Sequence, residues 1–234
     1  MNSHEANVER FNALAGDWDA DPSRVLMGQK IGRAMLAALA PTGTERALEF
    51  GAGTGLVTML LAGRLGSMLA MDSSAGMLDA LRAKLERKGI SSVEVREGRV
   101  PEDLPDGPFD LVLSAMTLHH VADVPALLRQ LAARLVPGGR IALADLDAED
   151  GSFHGDAAGV VHRGFERGEL ATWLRAAGFA EPQFSTAWTV RRETADGGPR
   201  EYPVFLVVAG KPALNRCPSA IRPAIRSRSR RRRC

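Results

Sequence analysis

Cysteine is nearly missing from this sequence: both copies, Cys217 and Cys234, lie close to the C-terminus. A disulfide framework, a cysteine-based metal site and a cysteine nucleophile are therefore closed to the core. Long apolar runs are missing too, and none approaches the ~20 residues of a membrane span. Met1 to Arg10 is polar and acidic, without the basic and apolar regions of a signal peptide, so a cytoplasmic location is expected. Acidic residues are absent from 212–234, a stretch with eight arginines. Of the 30 Lys and Arg, 22 then remain to face 28 Asp and Glu, so residues 1–211 carry a net of −6 although the whole chain is at +2. The tail has three prolines and no helical periodicity, and it ends in an Arg/Ser run from Arg226. It reads as a disordered Arg-rich segment, suited at most to non-specific contact with nucleic acid.

What is present is a soluble globular composition, 45% hydrophobic and 25% charged over 234 residues, enough for one sizeable core. Asp21-Pro22-Ser23 reads as an N-cap with proline in the first turn, opening a helix through Ala40. With Phe11 and Trp18 ahead of it, residues 1–43 form candidate lid or flanking helices. A helix-like pattern from Leu56 to Leu65 follows a short strand and a glycine turn. Further strands are expected at Ser67 to Met71, Ser91 to Arg96, Phe109 to Ser114 and Arg140 to Ala144, with helices from Ser73-Ser74 to Lys88 and from Val124 to Leu135. This alternation implies right-handed βαβ units and a parallel sheet covered on both faces. A helix over Glu169 to Ala177 comes next. Gln183 to Arg192 and Glu201 to Ala209 are spaced as an antiparallel hairpin. The folded domain spans 44–211.

The most informative stretch is Glu49-Phe50-Gly51-Ala52-Gly53-Thr54-Gly55, at the end of an apolar run. Three glycines here let backbone N–H groups approach a polar ligand. A dinucleotide fingerprint would need a sixth-position glycine, and Leu56 stands there. A P-loop would need a lysine, and none follows. An acid, Asp72, closes the next strand.

This arrangement resembles the class I S-adenosylmethionine-dependent methyltransferases, most closely the small-molecule enzymes related to quinone biosynthesis. The resemblance covers roughly Ala47 to Lys211. It includes the glycine turn, Asp72, Phe109-Asp110-Leu111-Val112 with Leu118-His119-His120 after it, and Leu135-Val136-Pro137-Gly138-Gly139-Arg140. It implies an α/β, Rossmann-like, doubly wound sheet of seven strands with a C-terminal antiparallel hairpin, and S-adenosyl-L-methionine as cofactor. Gly51, Ala52, Gly53 and Gly55 would cradle the methionyl portion, Glu49 would offset the ammonium, and Asp72 would accept from the ribose hydroxyls. Ser73, Met77, Ser114, Met116 and Trp18 are further expected cofactor contacts. The family's usual acid after the third strand is replaced by Gly98-Arg99-Val100. Backbone at Arg99 and Val100 could serve the adenine, Arg99 could stack on it, or Arg99 is a solvated charge.

Methyl transfer is an in-line displacement that needs a base only for a protonated nucleophile. His154 and His162 are candidate bases, and His119 is a candidate contact to cofactor or acceptor. The cluster Asp145, Asp147, Asp150 and His154 hints at a metal, but no metal is expected. No Asn/Asp-Pro-Pro-Tyr/Phe follows the fourth strand, which argues against base-amine or glutamine-amide acceptors. A small-molecule acceptor is the leading expectation. An RNA-directed protein using the basic tail, or an inactive cofactor-binding partner, is the alternative. Oligomeric state is not legible.

Overall fold

The computed structural model describes residues 3–155, 159–193 and 198–213. The Arg-rich tail beyond Ala213 lies outside the described residues. Seven strands form one sheet: β1 Arg46–Phe50, β2 Ser67–Asp72, β3 Val93–Glu97, β4 Phe109–Ala115, β5 Leu135–Leu146, β6 Gln183–Glu193 and β7 Pro199–Gly210. Their order is β3-β2-β1-β4-β5-β7-β6, parallel from β3 through β5, with β7 antiparallel to both neighbours. The mostly parallel, doubly wound sheet and its closing hairpin thus match the expectation. The chain winds outward from β1 to β3 and then returns to the other side of β1. That reversal leaves a crevice at the carboxyl ends of β1 and β4, where open α/β sheets bind ligands.

Among the described residues six helices flank the sheet: α1 Ser3–Leu14, α2 Pro22–Leu39, α3 Thr58–Leu61, α4 Ala75–Lys88, α5 Val124–Arg134 and α6 Arg167–Ala176. A 3₁₀ turn, Ala15–Ala20, links α1 to α2. The cap read from Asp21 is present, its carboxylate accepting from Ser23 N–H at 2.8 Å. Residues alternate in direction along a strand. Leu48, Phe50 and Val112 therefore pack with Leu127, Leu131 and Leu170 of α5 and α6. Ala47, Leu111 and Leu113 meet Ile31 and Met35 of α2 and Leu61 of α3. Ala70 joins Leu78 and Leu81 of α4. Glu49 and Asp72 share the parity of Ala47 and Ala70, so both carboxylates emerge on one face at adjacent strand ends. No helix among the described residues is long and apolar enough to cross a membrane.

Two elements differ from the sequence reading. The helix expected over Leu56 to Leu65 shortens to α3 and a 3₁₀ turn, Ala62–Arg64. Gly63 and Gly66 weaken helix propagation there. β5 begins earlier than expected, at Leu135, because Val136 to Gly139 bulge out of the ladder: Phe109 pairs with Leu135 and Leu111 with Arg140. The bulge is tied down by Gly138 N–H to the Lys211 carbonyl (2.9 Å) and Lys211 N–H to the Gly139 carbonyl (2.7 Å).

Candidate functional site

The glycine turn has a backbone that only glycine accommodates at Gly51. Its φ is +68°, and a Cβ there would lie 2.0 Å from Thr117 Oγ1 and 2.6 Å from Thr117 Cβ. The turn after β1 is thus pressed against the loop after β4. Gly53 N–H donates to Asp72 Oδ2 (2.8 Å) and Ser74 N–H to Oδ1 (2.9 Å), so the carboxylate staples the turn to the start of α4.

These elements enclose a cavity of about 400 Å³ at the β1/β4 crevice. Of the expected cofactor residues, Glu49, Gly51, Ala52 and Gly53 reach its wall from the turn, and Asp72, Ser73 and Met77 from the β2–α4 connection. Arg99 and Val100 reach it after β3, Met116 after β4, and Trp18 from the 3₁₀ turn. Gly55 and Ser114 are not among the lining residues. Gly55 instead lets α4 pack closely, since a Cβ there would meet Leu81 Cδ1 at 2.3 Å. Ser114, buried, donates to the Phe50 carbonyl at 2.9 Å and clamps β4 to β1. The Arg99 guanidinium pairs with Glu102 at 3.4 Å, and the Arg99 backbone N–H donates to Asp103 Oδ2 at 2.9 Å.

The three histidines proposed for catalysis are likewise not brought to the wall, and their partners explain why. His119 is 2% exposed, and its Nδ1 bonds Asp145 Oδ1 at 2.8 Å. The His154 ring lies against His119, with centroids 4.6 Å apart, and its buried Nε2 has no hydrogen-bond partner among the described residues. His162 donates through Nε2 to the Val121 carbonyl (2.9 Å). Neighbouring residues within a 3₁₀ turn point in different directions, and it is His120 that lines the cavity. Other polar wall residues that sequence reasoning missed include Asn7, Arg24, Thr54 and Thr117. Only Thr117 had a usable signal, its place beside the strand end.

The acids at the end of β5 and just after it are engaged by other side chains. Asp145 is taken by His119, Asp147 by Arg167 (2.7 Å) and Asp150 by Ser152 and Arg200. Among the described residues no group of three or more His, Cys, Asp or Glu is arranged to hold a metal.

The roof over the crevice is N-terminal. Asn12 Oδ1 of α1 accepts from Ser74 Oγ (2.7 Å) and Gly76 N–H (3.0 Å). Asp19 accepts from Thr54 Oγ1 (2.6 Å) and pairs with Lys84. The other wall is stitched to the loop after β4 by Val161 N–H to the His119 carbonyl (2.9 Å) and by His120 Nδ1 to the Gly159 carbonyl (2.7 Å).

A buried carboxylate, Glu49, and a half-buried one, Asp72, share one cavity wall with no ion pair to either among the described residues, and together they suit a cationic, hydroxyl-bearing ligand. Burial pushes Glu49 up to about 7, the charge of Asp72 adds to that, and the Thr58 hydroxyl at 2.6 Å opposes it. Burial also raises Asp72, against the N–H groups of Ser74, Gly53 and Ser73. An ammonium beside Glu49 and a diol beside Asp72 would relieve both, so the residues fit S-adenosylmethionine. When bound, that molecule supplies a methyl group on a sulfonium.

Glu49 makes both stability and binding depend on pH. The folded protein without cofactor holds this proton more tightly than the unfolded chain does. Stability from Glu49 is therefore full below 4.5 and falls as pH rises toward about 7, by on the order of 3 kcal/mol. A cofactor ammonium placed beside Glu49 would select the carboxylate, and at about pH 6 close to one proton would then be released per cofactor bound. Calorimetry in buffers of different ionisation enthalpy measures this. A buffer-independent heat in the wild type, or an unchanged proton count in Glu49→Gln, would contradict it.

The family described as a methyltransferase domain matches residues 48–143. The chain is similar to the ubiquinone biosynthesis O-methyltransferase of Xanthomonas axonopodis pv. citri, at 33% identity over 198 residues, covering 76% of this chain and 81% of that protein. It is also similar to protein-L-isoaspartate O-methyltransferase 1 of Rhodopseudomonas palustris, at 33% identity over 141 residues, 58% of this chain and 54% of that protein. Among solved structures, a DhpI–SAH complex superposes with a TM-score of 0.67 at 25% identity, covering 90% of this chain and 97% of that one. The paired carboxylates, the glycine turn and this likeness along most of the chain agree: it belongs to the class I S-adenosylmethionine-dependent methyltransferases.

Proposed function

We propose that this methyltransferase acts on a small molecule. The observation that carries the reading is the roof: α1 and the 3₁₀ turn are bonded to the cofactor loops through Asn12 and Asp19, closing over a cavity of about 400 Å³. Enclosure of that kind suits a compact acceptor better than a nucleic acid strand or protein segment. The cavity wall includes Phe11, Trp18, Met27, Ile31 and Val161, an apolar and partly aromatic lining suited to such an acceptor. The relative named as an O-methyltransferase of ubiquinone biosynthesis, matched over most of its length, supports the same class.

On this reading Glu49 holds the ammonium, Gly51, Ala52 and Gly53 present backbone to the methionyl group, and Asp72 holds the ribose. Ser73, Met77 and the backbone of Arg99 and Val100 surround the adenine. Trp18 and Met116 lie toward the methyl group. These residues orient the donor and keep water from it. The full chain, given S-adenosylmethionine with a radioactive methyl group and a cell extract, should label material that passes a membrane retaining protein and RNA. Label confined to the retained RNA or protein would reverse the assignment.

A further inference from the structure

The loop after β4 presents one imidazole to the cavity in a fixed state. His120 Nδ1 lies 2.7 Å from the Gly159 carbonyl, which can only accept, so Nδ1 carries the proton and Nε2 keeps its lone pair. The ring is held on two more sides, by Phe11 edge-on with centroids 5.6 Å apart and by the His119 ring at 4.1 Å. Desolvation by burial and the neighbouring His119 lower His120 to about 4, which leaves it neutral at neutral pH. Asn7 lies close by, since a Cβ at Gly159 would meet its Cγ at 2.5 Å; Asn7 is 7% exposed, and its buried Oδ1 has no hydrogen-bond partner among the described residues. A buried acceptor without a donor costs free energy that a bound donor recovers. The acceptor end of the cavity therefore offers two hydrogen-bond acceptors, Nε2 of His120 and Oδ1 of Asn7.

We propose that His120 is the catalytic residue that takes the proton from a hydroxyl-bearing methyl acceptor, while Asn7 receives a second donor of the same molecule; this rests on the small-molecule reading above. As the acceptor oxygen bonds to the methyl carbon, the carbon–sulfur bond breaks and its electron pair stays on sulfur. The hydroxyl proton passes from the forming protonated ether to Nε2, leaving a methyl ether, a thioether and an imidazolium. A protonated ether is a far stronger acid than any imidazolium, so a weakly basic histidine suffices.

The test uses the full chain with S-adenosylhomocysteine, phenol and its methyl ether anisole. With nitrogen-labelled histidine, His120, assigned by loss of its signals in His120→Phe, should show a protonated Nδ1 and a bare Nε2. The Nε2 resonance should move with phenol and stay put with anisole. His120→Phe should methylate phenol about 100-fold more slowly or worse, with S-adenosylhomocysteine affinity within about twofold. A second donor should tell as well: 2-aminophenol should bind about fivefold tighter than phenol, and Asn7→Leu should erase that margin. A protonated Nε2, equal responses to phenol and anisole, or retained turnover in His120→Phe would overturn the proposal alone. Failure of phenol and anisole alike to bind, with S-adenosylhomocysteine bound normally, would overturn the small-acceptor reading and this proposal with it.

Discussion

Gly51→Ala is expected to remove cofactor binding and to lower the melting temperature measurably. The added methyl would lie 2.0 to 2.6 Å from three atoms of Thr117, and one of these is Cβ, which no rotamer change can withdraw. The backbone at φ +68° adds roughly 1–2 kcal/mol of left-handed strain for a residue with a side chain. The β1 turn and the loop after β4 must therefore separate, and that pulls Gly53 N–H from Asp72. Thermal unfolding together with calorimetry on S-adenosylhomocysteine checks both halves. A variant that binds the ligand within about threefold of wild type would show that the close approach is not needed. Thr117→Gly on top of Gly51→Ala should restore part of the loss by opening the space.

Asp72→Ala should weaken cofactor binding on the order of 100-fold or more. Two hydrogen bonds from ribose hydroxyls to a charged carboxylate are worth roughly 1.5–3 kcal/mol each. The same change frees the N–H groups of Gly53 and Ser74 that now organise the turn. Asp72→Asn is not a mild substitute. Both carboxylate oxygens accept from backbone N–H groups, so the amide's NH₂ must face one donor or the other. Isothermal titration with S-adenosylhomocysteine should therefore rank wild type well above both variants. A loss of less than about tenfold in Asp72→Ala would argue that the ribose is held elsewhere.

The parts of this site that could be read from sequence are those governed by strand period and turn chemistry. Glu49 and Asp72 stand at the ends of apolar runs, where period two puts them on one face, and the glycines between them allow only a tight turn. Asp21-Pro22-Ser23 and Ser74 marked helix starts through local capping, independent of the rest of the fold. The terminal hairpin followed from spacing alone. The acceptor side was much less legible because its geometry is non-local. His119 and His120 are adjacent in sequence, and only the position of Asp145 on β5 decides which of them turns inward. His154 looked available as a base, but its ring is stacked behind His119. Asn7 sits on α1, whose few large apolar residues give no clear stripe, and that helix docks through polar contacts such as Asn12 to Ser74.

The N-terminal roof has a kinetic consequence. Its two anchor points, Ser74 at the head of α4 and Thr54 in the glycine turn, belong to the loops proposed above to hold S-adenosylmethionine. A bound cofactor steadies those loops, so the roof should settle only over a loaded site. Steady-state turnover should then follow a compulsory order, with donor adding first and demethylated donor leaving last. That product would inhibit competitively against the donor and non-competitively against the acceptor. Asp19→Ala, by freeing one anchor, would loosen the sequence toward random addition.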